Sequence, residues 1–187
     1  QVETTEKRHA RGKNPLFSSS EFCAACHQLD GGYELNGTVL TNTYNEWNES
    51  RYAKSGITCQ RCHMPGKRHL WRGIHDPKMV LSGLDIAATY EGNAATGSAS
   101  ARLSITNTGV GHMFPTYVTP SVTVRAFLKD NNGNIIERSQ KNATIARRIS
   151  LDLSEELFDT RIPPDGKFDL HYSVPRNAET TEAKELL

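Results

Sequence analysis

The stretch ITCQRCHMPGKRHLWRGIH, residues 57–75, contains two cysteines, three histidines and a methionine, all of which can bind metals. Its CQRCH motif is matched by CAACH at residues 23–27, and the two motifs together account for all 4 cysteines of the chain. The C-x-x-C-H pattern is typical of c-type haem attachment. Two cysteines three positions apart can form thioethers with the two vinyl groups of one porphyrin, and the adjacent histidine can then bind the iron. The sequence therefore predicts two covalently bound haem c groups, attached through Cys23, Cys26, His27, Cys59, Cys62 and His63.

Zinc binding and redox activity are the alternatives to haem for these cysteines. Two C-x-x-C pairs can build an all-cysteine zinc site. Such a site makes no use of a histidine after each pair, and the gap between the pairs is longer than the usual ribbon spacing. A redox-active C-x-x-C is the other alternative, but one such motif normally serves, and a second would be redundant. We therefore favour haem.

The composition narrows the class of protein further. The chain has 187 residues, which suits one domain or two small ones, and only 36% of them are hydrophobic. Two buried haems would add apolar surface to this lean core, because a porphyrin face buries like an aromatic side chain. Lysine and arginine number 22 against 21 acidic residues, without a basic patch interleaved with aromatics, so we expect no nucleic-acid partner. No apolar run is long enough to span a bilayer, and we predict no transmembrane segment.

The start of the chain indicates export. It opens QVETTEKRHARGKNP, which is polar from the first residue, and a glutamine in place of methionine suggests a mature chain whose leader has been removed. Haem is attached to C-x-x-C-H motifs outside the cytoplasm. We therefore predict an exported protein with a periplasmic or extracellular location.

The spacing of apolar residues changes part of the way along the chain. Residues 1–82, which begin with a polar N-terminal arm, hold both motifs and show little periodicity. Beyond them, apolar and polar residues alternate in LDIAATY (84–90), SVTVRAFLKD (121–130) and RIPPDGKFDLHYSVP (161–175), with turn sequences between them. This pattern predicts an α+β fold. A small, mostly helical or irregular dihaem cytochrome c module over residues 1–82 is followed by an immunoglobulin-like antiparallel β-sandwich over residues 83–187.

Two segments resemble multihaem c-type cytochromes. YNEWNESRYAKSGITCQRCHMP (44–65), followed by HLWRGIHDPKM (69–79), is similar to family members in which a Trp-x-x-Ser segment precedes a CQxCHMP site. ITNTGVGHMFPTYVTPSVTV (105–124) resembles the family's strand and loop in which a GHxxPT turn opens a β-sandwich. The similarity runs over residues 22–174. Many members carry four or more haems, whereas this chain has motifs for two, so a role known for a longer haem chain need not transfer.

The distal iron ligands are sought among the histidines outside the motifs. His112 is the strongest candidate, because it lies in a turn between a glycine and MFPT, and the resemblance implies that this turn lies beside a haem. In that position the β domain would clamp the haem module. His171 is expected to point to solvent, since strand alternation places it opposite Phe168 and Tyr172.

His69 and His75 compete as ligands of the other iron. His69 lies only six residues after His63, which makes a path around the porphyrin edge tight, so we prefer His75. His9 lies in the polar arm and could reach the haem of a neighbouring subunit. The chain has enough histidines for bis-histidine ligation of both irons, and low-spin haems of comparatively low potential are therefore expected. Met79 and Met113 are further candidates that would raise the potential.

Three functions are consistent with the sequence. Saturated iron can pass electrons but cannot bind substrate, so we predict an electron-transfer protein, not an enzyme, that exchanges electrons with redox proteins or other cytochromes. The alternative is a homo-oligomer or extracellular cytochrome filament, for which the arm with His9, the edge strands and the near-zero net charge are the reasons. A haem enzyme, such as a peroxidase or small-oxyanion reductase, would need an iron with an open or displaceable ligand.

Overall fold

The computed structural model describes residues 14–68, 70, 72–90 and 98–175, and the backbone of residues 185–186. Its helices are short, and none in this part of the chain is long and apolar enough to cross a membrane. Both C-x-x-C-H motifs are helical. The α-helices are α1 (Glu21–His27), α2 (Thr43–Glu49), α3 (Arg51–Lys54), α4 (Cys59–His63) and α5 (Pro77–Gly83), and 3-10 turns lie at Pro15–Ser18, Gly31–Tyr33, Pro65–Lys67 and Glu137–Ser139.

The strands form small antiparallel sheets. They are β1 (Glu34–Leu35), β2 (Thr38–Val39), β3 (Leu84–Tyr90), β4 (Ser98–Asn107), β5 (Val122–Ala126), β6 (Leu128–Lys129), β7 (Lys141–Ile145), β8 (Arg147–Ile149), β9 (Glu156–Asp159), β10 (Lys167–Pro175) and β11 (Glu185–Leu186). A three-stranded sheet has the order β10-β4-β3, and the other pairs are β1-β2, β5-β7, β8-β9 and β6-β11. The turn sequence DNNGN joins β6 to the chain that returns beside it, where Lys129 bridges Ile135.

Polar side chains cap the short helices. The Asp76 carboxylate accepts a hydrogen bond from the Met79 N–H at 3.0 Å, and Pro77 follows the cap at the first helical position of α5. The Ser50 hydroxyl in the same way accepts from the Tyr52 N–H at the start of α3. Helices of this length are not stable alone, so their ends and their packing determine where they form.

The hydrophobic core lies in the second part of the chain. In the described residues, every buried hydrophobic side chain is at or after Leu84, and strands β4 and β10 supply several, with Leu170 paired to Leu103. Before that point, large apolar side chains are exposed. They are Leu16, Phe17, Phe22, Tyr33, Leu70 and Leu81, with exposed fractions between 38% and 62%. The segment that carries the motifs therefore has little apolar burial of its own.

The predicted fold class is wrong. The chain is 26% helix and 34% strand, which does not describe a mostly helical cytochrome module. The strands also divide among separate sheets of two or three strands, so an immunoglobulin-like sandwich of two larger sheets is not found in the described residues. Alternation of apolar residues locates strands, but the pairing of strands depends on contacts between distant residues, which alternation does not specify.

The alternation of apolar and polar residues also predicted the wrong burial for β3. Its apolar residues Ile86 and Tyr90 are 47% and 60% exposed, although the period-two pattern predicts that one face is buried. The strand pairs with β4 on one side only and forms the edge of the three-stranded sheet. In β10 the pattern holds, since Leu170 and Tyr172 are buried and His171 between them is exposed, as expected.

Candidate functional site

The helices of the two C-x-x-C-H motifs, α1 and α4, are joined at their N-termini. Ser20, the residue before α1, is buried, and its hydroxyl accepts a hydrogen bond from the Cys59 N–H at 3.1 Å. The Gln60 side-chain amide donates to the Ser19 carbonyl at 2.6 Å. These bonds satisfy a free N–H at the start of α4 and hold the two motifs side by side.

Burial raises the pKa of two of the four motif thiols, Cys23 and Cys62. Burial raises the pKa of Cys23 to about 11, and the neighbouring Cys59 thiol adds to the effect. Burial and Cys59 likewise raise the pKa of Cys62. Redox-active C-x-x-C thiols and zinc ligands need the thiolate, and reactive cysteines have lowered pKa values. The raised values weigh against the redox alternative.

The ring of His63 is oriented by the backbone of Arg72. His63 Nδ1 lies 2.5 Å from the Arg72 carbonyl oxygen, and the Arg72 N–H donates to the His63 carbonyl at 3.2 Å. Because a carbonyl can only accept, Nδ1 must carry the proton, and Nε2 keeps a lone pair for a metal. The Arg72 guanidinium binds Asp76 at 2.6 Å and lowers the pKa of that carboxyl to about 2. Asp76 in turn caps α5, so these contacts link His63, through Arg72, to the start of α5.

His112 faces His63. The two rings are 6.2 Å apart between centroids and nearly parallel, with an angle of 19° between their planes. His112 Nδ1 lies 2.8 Å from the Met113 carbonyl oxygen, which again leaves Nε2 with the lone pair. Burial lowers the pKa of His112 to about 4, with His63 and His27 contributing in the same direction, so the ring is neutral near pH 7.

The His63–His112 pair fits two ligands of one metal. An imidazole nitrogen binds a first-row metal at about 2 Å, so two rings on opposite sides of one ion have centroids roughly 6 Å apart. Each ring is fixed through Nδ1 to a carbonyl oxygen, which leaves Nε2 free to bind a metal and is the usual arrangement of ligating histidines.

The first motif is arranged differently. His27 is exposed, and neither of its ring nitrogens has a hydrogen-bond partner in the described part of the chain. Its ring lies 6.3 Å from that of Tyr117, with an angle of 49° between the planes. Tyr117 has φ of +39°, a left-handed conformation that a side chain other than glycine rarely adopts. One loop, residues 108–121, therefore reaches both motif histidines.

The remaining predicted ligands are His75, His69 and His9. His75 is exposed and lines a cleft of about 440 Å³ with Ile74 and residues 119–122. His69 and His9 lie outside the described residues. In the part of the chain that the structure describes, no three His, Cys, Asp or Glu side chains converge on a metal-sized site.

Sequence reasoning missed the side chains that support His112. Glu46 accepts a hydrogen bond from the Met113 N–H, and Asn107 donates one to the His112 carbonyl. Arg161 forms an ion pair with Glu46. Each is a common polar residue in an unremarkable context, and the contacts join residues far apart in the chain. No signal in the sequence would have identified Glu46.

The fold itself is one used by a multihaem c-type cytochrome. The solved structure of a penta-haem cytochrome c552 from Thermochromatium tepidum matches with a TM-score of 0.64 and 19% sequence identity. The match covers 90% of this chain and 46% of that protein, so this chain spans about half of its length. No protein-family model matches the sequence, and no curated protein matches it. At this identity the likeness establishes a shared fold.

Proposed function

We propose that the chain is an electron-transfer protein with two covalently bound haem c groups, one at each C-x-x-C-H motif. The observation that carries the proposal is the pair His63 and His112, whose ring centroids lie 6.2 Å apart and whose Nδ1 atoms are both bound to carbonyl oxygens, so that each ring has Nε2 free to bind iron. The fold likeness to a penta-haem cytochrome supports it independently. Cys23 and Cys26 would hold one porphyrin by thioethers, and Cys59 and Cys62 the other.

The residues of this chain would determine what the haems can do. Bound haem supplies one-electron chemistry. His63 and His112 would both bind the iron at the second motif, which leaves no position for substrate and favours electron transfer. His27 would be the proximal ligand at the first motif, with His75 and His69 as the histidines proposed for its far side. The docking of α1 on α4 through Ser20 would keep the two haems close.

The wider role follows from the same proposal. We infer an exported protein, periplasmic or extracellular, with a haem-carrying part in residues 1–82 and a β part in residues 83–187. Its partners would be redox proteins or other cytochromes.

Assembly into a filament is the second candidate function. Strand β3 lies at the edge of its sheet and exposes Ile86 and Tyr90, and such an edge can pair with a strand of another copy. Size-exclusion elution of the purified holoprotein tests it. A monomer at high concentration would remove this candidate, whereas high-molecular-mass species would support it.

Haem content and electron transfer test the main proposal. The purified protein is expected to have the intact mass of the chain plus two haems, to be reduced by dithionite and to be reoxidised by an electron acceptor. The double variant Cys59→Ala/Cys62→Ala should lose one haem mass, and Cys23→Ala/Cys26→Ala the other. A protein that matures in a haem-attaching host and still carries four free thiols would contradict the proposal. Peroxidase or oxyanion-reductase turnover would instead indicate the enzyme alternative.

A further inference from the structure

The peptide that joins His112 to Met113 is held at both of its polar groups. Its N–H, on Met113, donates to the Glu46 carboxylate at 3.0 Å. Its carbonyl, on His112, accepts from the Asn107 side-chain amide at 3.1 Å. The backbone of a candidate iron ligand is thus fixed from two directions by side chains of α2 and the end of β4.

We propose that Glu46 and Asn107 are positioning residues that hold His112 in the geometry needed to bind iron opposite His63. The inference rests on the proposed function, since it concerns how strongly His112 would stay bound. The Met113 carbonyl, one peptide further on, accepts from His112 Nδ1, so the same short segment fixes the backbone and the ring. Partners of this kind, one step removed from a metal, typically change affinity or activity by about 10–100-fold when they are removed.

Glu46 is itself held in place by charge. Its second carboxylate oxygen lies 3.8 Å from the guanidinium of Arg161, which also binds Asp159 at 2.7 Å. The Arg161 side chain is almost fully buried. Burial raises the pKa of Glu46, while the Met113 N–H and the Arg161 charge oppose that effect. Both oxygens are engaged, so the carboxylate cannot rotate away from the Met113 N–H without losing a partner.

Both the nitrogen and the oxygen of the Asn107 side-chain amide form hydrogen bonds. It donates to the carbonyls of His112 and Ile162, and its oxygen accepts from the Val110 N–H at 3.0 Å. It is one of the few buried polar residues of the described chain, with 1% of its surface exposed. A buried amide that closes a loop on itself fixes the path of that loop, since each unpaired group would cost free energy.

The helices α2 and α3 hold the rest of the loop and lead into the second motif. The Thr43 and Thr116 hydroxyls are 2.5 Å apart. At Gly111 a Cβ would come within 2.9 Å of the Tyr52 ring and 3.0 Å of the Ser50 hydroxyl, so the loop approaches α3 as closely as only glycine permits. Since α4 follows α3 directly, the contacts relate the His112 loop to the helix that ends in His63.

The loop has an attachment that does not involve Glu46. Phe114 and Ile162 exchange two backbone hydrogen bonds, at 2.9 and 2.7 Å, on the far side of Met113. A change at Glu46 is therefore expected to loosen His112 and leave the loop attached to the β part. This separates a positioning role from a general role in folding.

Carbon monoxide binding to the ferrous holoprotein measures how readily His112 leaves the iron, because a saturated iron must lose a ligand before CO can bind. In Glu46→Ala, CO binding at one haem should be about 10–100-fold faster than in the wild type. Glu46→Gln keeps an oxygen that can accept from the Met113 N–H and should restore a rate near that of the wild type. Glu49→Ala, an exposed glutamate on the same helix, is the matched control and should match the wild type.

Glu46→Asp is the second variant, because it keeps the charge beside Arg161 and withdraws the acceptor from Met113. It should also accelerate CO binding, and it decides the question if Glu46→Ala fails to fold. Wild-type CO kinetics in both the Ala and Asp variants, with the low-spin ferric signal intact, would overturn the inference alone. A wild-type protein with no low-spin haem would instead overturn the proposed function.

Discussion

The two C-x-x-C-H sites share a sequence pattern but differ in how fully the protein builds their surroundings. At the second site, His63 is fixed by the Arg72 backbone and faces His112 at 6.2 Å with nearly parallel rings. At the first site, His27 is exposed and faces the tilted ring of Tyr117 at 6.3 Å. The same motif is thus proposed to attach haem at both sites, while residues far away in the chain determine what lies across from each histidine.

This difference leads to an expectation about function. The second site has both candidate axial ligands oriented in advance, so its haem should be low-spin and slow to exchange ligands. At the first site, the ring of His27 has fewer fixed contacts than the ring of His63 has at the second. Its ligation should be more sensitive to changes in Tyr117, to partner proteins and to added ligands.

The largest effect is expected from His112→Ala. One of the two proposed haems should lose its sixth ligand and become high-spin, while the other keeps the wild-type spectrum. Ferric EPR and the optical spectrum measure this directly. The matched control is His171→Ala, since His171 is exposed on β10 and is not a proposed ligand. If His171→Ala and not His112→Ala produced the high-spin haem, the contrast between the sites would be reversed.

Removal of the buried Arg147 should have the next largest effect. Its side chain is fully buried, binds Glu156 at 2.7 Å and donates to the carbonyls of Leu35, Thr38 and Val39. It thereby attaches the β1–β2 hairpin, which follows the first motif, to the β part of the chain.

In Arg147→Ala, the free energy of unfolding should fall by about 3–5 kcal/mol, because Glu156 and three carbonyls lose their partner. Denaturant unfolding measures the change. Lys167→Ala removes a surface ion pair with Asp169 and should cost less than about 1 kcal/mol. Equal losses in the two variants would mean that Arg147 is not the main attachment of the hairpin.

At the first site, Tyr117→Gly should change the haem of His27 and leave that of His63 as it is. Glycine adopts the positive φ of this position without strain and removes the ring that faces His27. A redox titration is expected to show one midpoint potential shifted, by less than His112→Ala shifts the other. A shift confined to the second haem would mean that the proximity of Tyr117 to His27 has no bearing on ligation.

The smallest effect is expected from Asp76→Asn, and it depends on pH. The folded pKa of Asp76 is lowered from 3.8 to about 2 by its contacts with Arg72, so the carboxylate stabilises the folded state fully above the unfolded pKa. That contribution is lost as the pH falls through the folded value. Wild type and variant should therefore differ in denaturant stability at pH 6 and converge as the pH approaches 2. A difference that grew on acidification would contradict the role given to Asp76.

Sequence alone identified the parts of the molecule that local patterns specify. The motifs fell on α1 and α4, the alternating segments fell on β3, β5 and β10, and His112 was chosen from its turn and from the resemblance that this turn carries. These features depend on neighbours within a few residues. The role of His112 as a ligand stays a prediction, although its ring faces His63.

The features that sequence did not provide depend on distant contacts. Glu46 binds Met113, which is 67 residues away, and Arg147 binds carbonyls more than 100 residues before it. The burial of β3 and the division of the strands into small sheets are likewise set by pairing across the chain. Periodicity in one segment carries no information about its partner, which is why the predicted sandwich was wrong.

Low-temperature EPR of the oxidised wild-type holoprotein, with haem content determined on the same sample, measures whether His63 and His112 bind one iron. We predict two haems per chain and at least one low-spin signal typical of bis-histidine iron, equal in amount to one haem per chain. A sample with two attached haems and only high-spin iron would contradict the pairing of His63 with His112. A chain that carries no haem at all would contradict the account as a whole.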